Sequence, residues 1–286
     1  MSRMSRAVID VDGTKRPVPI HGPEAFEGMR AAGRLAALTL DHVTPLVRAG
    51  VSTGEIDQAI ERFMREHGGI PATIGYPHRE QPNNPFPAAS CISVNHVVNH
   101  GIPSFEKKLK EGDTLNIDVT VILDGWYGDT SRMFIVGRPE KVPVKARRLI
   151  KTTYEAMWAG IRAVRPGATL GDVGHAIQKV AEAQGFSVVR DFVGHGIGRV
   201  FHDAPEVRHF GKPGEGLRLE PGMFFTIEPM INAGRAGVKI LPDGWTTVTR
   251  DREPSAQFEH TVGVTEDGVE VFTRSPAGFE QPPYAS

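Results

Sequence analysis

The sequence predicts an α+β fold of two pseudo-symmetric halves, each a helix pair packed on an antiparallel sheet, with a central site where the halves meet. Three internal matches carry this prediction. VRAGVSTGEIDQAI at 47–60 aligns with VRPGATLGDVGHAI at 164–177, offset by 117 residues. LKEGDTLNID at 109–118 aligns with LEPGMFFTIE at 219–228, offset by 110, so that Asp118 and Glu228 fall on equivalent positions. HGIP at His100 echoes HGIG at His195. A single V-R-x-G turn before a helix recurs by chance, whereas three matches in one order mark an internal copy. Ligand sites favour the junction of such units.

With 286 residues, 40% of them hydrophobic, the chain can bury a substantial core. Lys and Arg number 33 against 34 Asp and Glu, a formal charge of -1, so no global field draws the protein to DNA or to an acidic membrane. The single cysteine, Cys91, cannot form an internal disulfide and suits a reducing compartment. The N-terminal stretch MSRMSRAVIDVDGTKRP contains only a three-residue apolar run at 7–9 and lacks a secretory core. No segment approaches the roughly 18 consecutive apolar residues of a membrane span. A soluble, cytoplasmic protein is expected.

Residues 1–22 are polar, carry Pro17 and Pro19, and read as a flexible N-terminal extension ahead of one domain over 23–286. From 23 to 46, Phe26, Met29, Ala32, Leu35, Ala36 and Leu40 recur at helical spacing behind Pro23, which suits a first turn. A second helix covers 53–67, with Ser52 or Thr53 as N-cap and Gly68-Gly69 as its stop. GYPHREQPNNPFPAA at 75–89, with four prolines and two asparagines, reads as an irregular loop of the kind that lines sites. Strands follow around CISVNHVVNHGIP, and LNIDVTVIL and WYGDTSRMFIV flank Asp124-Gly125 as a hairpin. Helices at about 144–164 and 170–184 lead into a β-rich C-terminal half.

The hairpin fixes the chemistry. If Asp124 and Gly125 form the loop, Leu123 pairs with Trp126, Thr120 with Asp129 and Asp118 with Ser131, so Asp118 and Asp129 are diagonal neighbours on one face. Two carboxylates on a mostly apolar hairpin repel and resist desolvation, and a cation between them resolves both costs. A solvated face would explain this pair alone equally well. Glu228 in MFFTIEPMI and Glu259 in SAQFEHTVGV are further acids inside apolar runs, where an unpaired charge is rarely tolerated. His195, between Gly194 and Gly196, can be aimed at a fixed point by a closely approaching backbone. An oxygen-rich set with one imidazole suits Mn, Fe, Co or Zn, and five such ligands exceed the needs of one ion. The implied pair of ions is found in phosphatases, nucleases and aminopeptidases, and the chemistry alone leaves these three open.

IDVTVILDGWYGDTSRMF, FVGHGIGRVFHDAP, FTIEPMI and SAQFEHT together resemble, in order, the four metal-site segments of the type I methionine aminopeptidases of peptidase family M24, over about residues 23–275. The resemblance implies the pita-bread fold, a dinuclear centre and removal of the initiator methionine from nascent proteins with a small second residue. In that family pattern Asp118 and Glu228 ligate one metal each or chelate, Asp129 and Glu259 bridge, His195 completes the second ion's coordination, and a metal-bridging hydroxide attacks the first peptide bond. Glu228 is also the general base, and His100 and His202 hold the substrate. Phe86, Cys91, Phe201 and Trp245 form the methionine pocket, and Asn95, Val97 and Ser255 match a site for one Na or K ion. The sequence departs from the pattern at PHREQPNN, which lengthens the pocket-entry loop, and at His96 and Asn99, where an acid and a cysteine are common.

Three other possibilities share parts of this pattern. A proline-specific aminopeptidase or dipeptidase has the same fold but usually a large N-terminal domain, for which 22 residues are too few. A metal-free peptide-binding relative would not need all five ligands. The basic segment EKKLK at 106–110 suits ribosome docking, or is simply a solvated face. A monomer is expected.

Overall fold

The chain enters through two antiparallel strands, β1 (Arg3–Ile9) and β2 (Lys15–Ile20). The computed structural model describes residues 3–9 and 15–284, with side chains from residue 17 onward. The expected flexible extension over 1–22 lies partly outside the described residues, and its last part corrects that expectation. Val18 is 1% exposed and packs into the core of the second half. The prolines on either side of it hold an extended strand instead of releasing the chain.

Helix α1 (Pro23–Val43) starts with Pro23 in its first turn and buries Met29, Ala32, Leu35, Ala36 and Leu40 of the predicted stripe together with Ala25, while Phe26 is half-buried. A short 3-10 turn at Thr44–Leu46 ends it. Helix α2 (Thr53–Glu66) is capped by Ser52, whose hydroxyl accepts from Glu55 N–H while the Glu55 carboxylate takes Ser52 N–H. There follow β3 (Ile70–Pro71), the irregular loop, β4 (Cys91–Val94), β5 (Val97–Asn99), β6 (Thr114–Leu123) and β7 (Trp126–Ile135). The β6–β7 turn has positive φ at both Asp124 (50°) and Gly125 (77°), as a tight two-residue hairpin requires. Its register is the one counted from the sequence: Leu123 opposite Trp126, Thr120 opposite Asp129, Asp118 opposite Ser131.

The second half repeats this plan with α3 (Val144–Ala163), α4 (Leu170–Ala183), β8 (Ser187–Val188), β9 (Gly194–Gly196), β10 (Asp203–Val207) and β11 (Phe224–Ile227). After these come β12 (Met230–Asn232), β13 (Val238–Ile240), β14 (Thr247–Thr249), β15 (Ser255–Gln257), β16 (Glu259–Val264) and β17 (Val269–Val271). Thr169 and Asp172 form the same capping box before α4. The repeat extends to individual bonds. Leu109 N–H donates to Val51 O and Leu219 N–H to Ala168 O, both at 2.8 Å, and the left-handed turns at Gly112 (92°) and Gly222 (91°) coincide under the same offset.

The main sheet runs β10-β9-β11-β16-β7-β6-β3, with β4 on β6 and β17 on β16. Its seam is the β7–β16 pairing, Ser131 opposite Glu259, where the halves join. Helices α1 and α2 cover the first half through Leu40, Ile56, Ile60 and Met64, and α3 and α4 cover the second through Met157, Ile161, Val173 and Ile177. Helix α1 crosses β7 closely, since a Cβ on Gly128 would lie 2.3 Å from Ala32 O.

Arg132 on β7 reaches back to α1, bonding Asp41 at 2.6 Å and Ala37 O at 2.8 Å. The pair is buried, with side chains 3% and 9% exposed. Asp41→Ala leaves that guanidinium without its counter-ion and should cost about 3–5 kcal/mol in urea unfolding. Lys145→Ala, which breaks the exposed pair with Glu253, should cost under about 1 kcal/mol. Equal costs for the two would refute this ranking.

Candidate metal centre

Residues directly opposite one another in an antiparallel sheet share a face. The register therefore sets Cys91, Asp118, Ser131 and Glu259 in one row across β4, β6, β7 and β16. Asp129 lies two residues along β7 on the same face. Glu228 immediately follows β11, whose Ile227 is opposite His260, so it continues beside Glu259. Four carboxylates from both halves thus converge. His195 on β9 faces them, its N–H donating to Thr226 Oγ1 at 3.0 Å.

The His195 Nε2 atom is 3.6 Å from both Asp129 Oδ2 and Glu228 Oε1. Asp129, His195 and Glu259 present donor atoms within 4.8 Å of one another. His195 Nδ1 donates to Gly196 O at 3.0 Å, which leaves the Nε2 lone pair turned toward the acids, the tautomer a ligand needs. Thr120 Oγ1 donates to Asp129 Oδ1 and Thr226 Oγ1 to Glu228 Oε1, each at 2.8 Å, and Gln257 Nε2 lies 3.3 Å from Glu228 Oε2.

Electrostatics show what this arrangement lacks. Burial first, and then repulsion from Asp129 and Glu228, holds the Asp118 carboxyl well above the usual range, and Glu259 behaves alike. Burial and Asp129 push Glu228 up to about 7 against the opposing pull of His195 and Thr226. Burial draws His195 down, but Asp129 and Glu228 outweigh it and raise its proton affinity. Among the described residues, no Lys or Arg lines this cavity. The donor set fits a pair of divalent ions, which would supply the positive charge that the protein withholds.

A cavity of about 270 Å³ opens on this face. It gathers the expected ligands Asp118, Asp129, His195, Glu228 and Glu259 with His100, His202, Phe86, Cys91, Phe201 and Trp245. Phe86 meets Trp245 edge-on at 5.2 Å, and Phe201 stacks on His202 at 4.1 Å. Burial keeps the Cys91 thiol protonated by raising it well above its ordinary value, with the neighbouring carboxylates adding to the effect. Burial lowers His100 to about 4 and His202 well below its usual value, so both imidazoles are neutral at pH 7. His100 adopts positive φ (52°), a strained conformation for a non-glycine residue. Of the expected monovalent-cation residues, Ser255 N–H donates to Asn95 O at 2.9 Å, and Val97 lies two residues along in β5.

Several residues here had no signal in the sequence. Tyr76 lines the cavity with its hydroxyl 2.8 Å from His202 Nδ1, although only its loop, not the residue, stood out. His209 is fully buried and its Nε2 accepts Glu228 N–H at 3.1 Å. Asn99, which stood out in the sequence only as a departure from the family pattern, also lines the cavity.

Residues 27–266 match the model of metallopeptidase family M24. The chain is 54% identical over 268 residues to a methionine aminopeptidase of Rickettsia prowazekii, covering 93% of this chain and 99% of that protein. It is 49% identical to the methionine aminopeptidase of Escherichia coli over 90% of this chain and 94% of that one. A crystal structure of methionine aminopeptidase from Rickettsia prowazekii superposes with a TM-score of 0.85 at 55% identity, over 90% of this chain and 99% of that chain. The pita-bread fold expected from the motifs is the fold observed.

The raised carboxyls make a prediction for metal-free protein. Groups bound to protons more tightly when folded stabilise it fully below their unfolded values, and that stability is lost as pH rises through the folded ones. After chelation, Tm should therefore fall as pH is raised from about 6.5 to 8, above the range in which the buried neutral histidines gain stability with pH and across the Glu228 value of about 7. Adding Mn should restore the loss. A pH-independent Tm in chelator would contradict this.

Proposed function

The chain belongs to metallopeptidase family M24, and from that premise we propose that it removes the N-terminal methionine of nascent proteins with a small second residue. The observation that carries this reading is the junction of two surfaces in one cavity: an acidic, metal-binding face and a pocket of one protonated thiol and three aromatic rings. Phe86, Cys91, Phe201 and Trp245 offer soft, polarisable contacts to a thioether side chain.

Asp118, Asp129, His195, Glu228 and Glu259 would hold two divalent ions. Bound there, such ions polarise the scissile carbonyl and lower the pKa of the attacking water. The protein's own groups do the rest. Glu228 Oε1 is fixed by Thr226 and its main chain by His209, so its carboxylate is placed to take the water's proton and pass it to the departing amine. His202, neutral and bonded to Tyr76, is oriented to donate to the substrate carbonyl. His100, neutral and edge-on to Trp245 at 6.4 Å, would contact the nitrogen of the scissile amide. Asn95, Val97 and Ser255 would hold a Na or K ion that braces β5 against β15.

In this reading residues 23–286, with the segment around Val18 and His21 packed on them, form the catalytic unit of a cytoplasmic monomer acting on nascent chains. The ribosome is a further partner through 106–110, where Lys108 is already paired with Glu55 at 3.2 Å. Purified protein loaded with Mn, Fe, Co or Zn should release methionine from Met-Ala-Ser and leave an X-Pro peptide intact. Absence of methionine release with every metal overturns the proposal, and cleavage of X-Pro alone would assign the chain to the proline-specific branch.

A further inference from the structure

The stretch 197–202 carries Phe201 and His202 into the cavity with few ties of its own. Ile197 N–H donates to Phe224 O at 3.2 Å, and Gly198 O accepts from Tyr127 N–H at 2.9 Å. Arg199 and Val200 at its tip are exposed. Its root is closed by His21, a residue from outside both halves of the repeat. The His21 ring stacks on Phe224 at 4.4 Å with planes 6° apart and meets Trp126 edge-on at 5.9 Å. It presses so near Gly198 that a Cβ there would come within 3.2 Å of its Nε2 atom. The Arg199 guanidinium lies 4.4 Å over the ring of Trp126. His21 and Trp126 thus clasp the root of the loop, and Arg199 from its tip covers Trp126.

His21 is itself held firmly. Its N–H donates to Gly222 O at 2.8 Å, and a Cβ on Gly222 would lie 2.4 Å from His21 O, so only glycine permits this approach. Three residues earlier Val18 is buried in the core. Neither Val18 nor His21 lines the cavity. Both lie in the segment whose composition suggests a free extension, so the question is what their anchoring achieves. The contacts of His21 end on Gly198, four residues before His202.

We infer that His21, anchored by Val18 and Gly222, is a positioning residue that wedges the root of the 197–202 loop and so sets where the His202 imidazole stands over the metal face. Its catalytic consequence rests on the aminopeptidase reading, while its structural consequence does not. Misplacing a substrate-binding group by about 1 Å can cost on the order of 100-fold in rate, so a small shift at Gly198 is enough to matter.

Two readouts test this on the full chain, for His21→Ala and for His21→Phe, which keeps a ring to stack on Phe224. In His21→Ala, trypsin should cut the Arg199–Val200 bond faster than in wild type. The kcat for Met-Ala-Ser should fall about 10-fold or more, with KM within about twofold and metal content unchanged. His21→Phe should restore both toward wild type. Should His21→Ala fail to fold, Gly198→Ala presses on the same ring from the loop side and should give the same two changes. Cleavage at Arg199 no faster than in wild type overturns the inference, as does faster cleavage with kcat unchanged, or a kcat loss that the ring-retaining variant does not relieve. If wild-type protein releases no methionine, the aminopeptidase reading fails and the tryptic comparison alone decides the role of His21.

Discussion

Four carboxylates out of water on one face of a sheet are the constraint on which the rest of the structure depends. Isolated buried charges are far too costly to persist, so such a face exists only if its charge is neutralised by protons or by cations. Without metal ions, protons do this. Asp118 and Glu259 are driven well above their ordinary range, and among the described residues no Lys or Arg lines the cavity to relieve them. The surrounding hydroxyls are arranged for charged acids, with Thr120 and Thr226 donating into carboxylate oxygens. These donors favour the ionised form that metal ions require.

The duplicated architecture brings the acids together. Each half supplies a capped helix pair, a left-handed glycine turn and a strand that delivers one acid, Asp118 from β6 and Glu228 just after β11. The seam between β7 and β16 adds Asp129 and Glu259, so neither half alone holds a complete set. Elements that break the twofold pattern surround the cavity. The irregular loop brings Tyr76 and Phe86, the β13–β14 connection brings Trp245, and the segment before β10 brings Phe201 and His202. The repeat builds the metal face, and the insertions build the pocket over it.

Local rules made much of this legible in the sequence. A two-residue Asp-Gly loop leaves one register, so Thr120 had to face Asp129 and Asp118 had to face Ser131. Ser52 was one of two N-cap candidates, and the structure selects it by a capping box with Glu55. What stayed hidden depends on partners distant in sequence. His209 supports Glu228 from 19 residues away, and Tyr76 reaches His202 across 126. The buried end of the N-terminal segment was hidden for the same reason. Composition averaged over 1–22 looks polar, whereas Val18 and His21 are fixed by contacts near Gly222 and Phe224. His195 became meaningful only beside the acids, since a histidine between glycines carries no chemistry by itself.

The central claim is that this face holds two metal ions through both halves at once. Anomalous diffraction from crystals grown with Mn tests it most directly. The account predicts two peaks in the cavity, each contacted by a carboxylate from the first half and one from the second, with His195 Nε2 on one of them. A single peak, or peaks only outside the reach of Asp129 and Glu259, would contradict it.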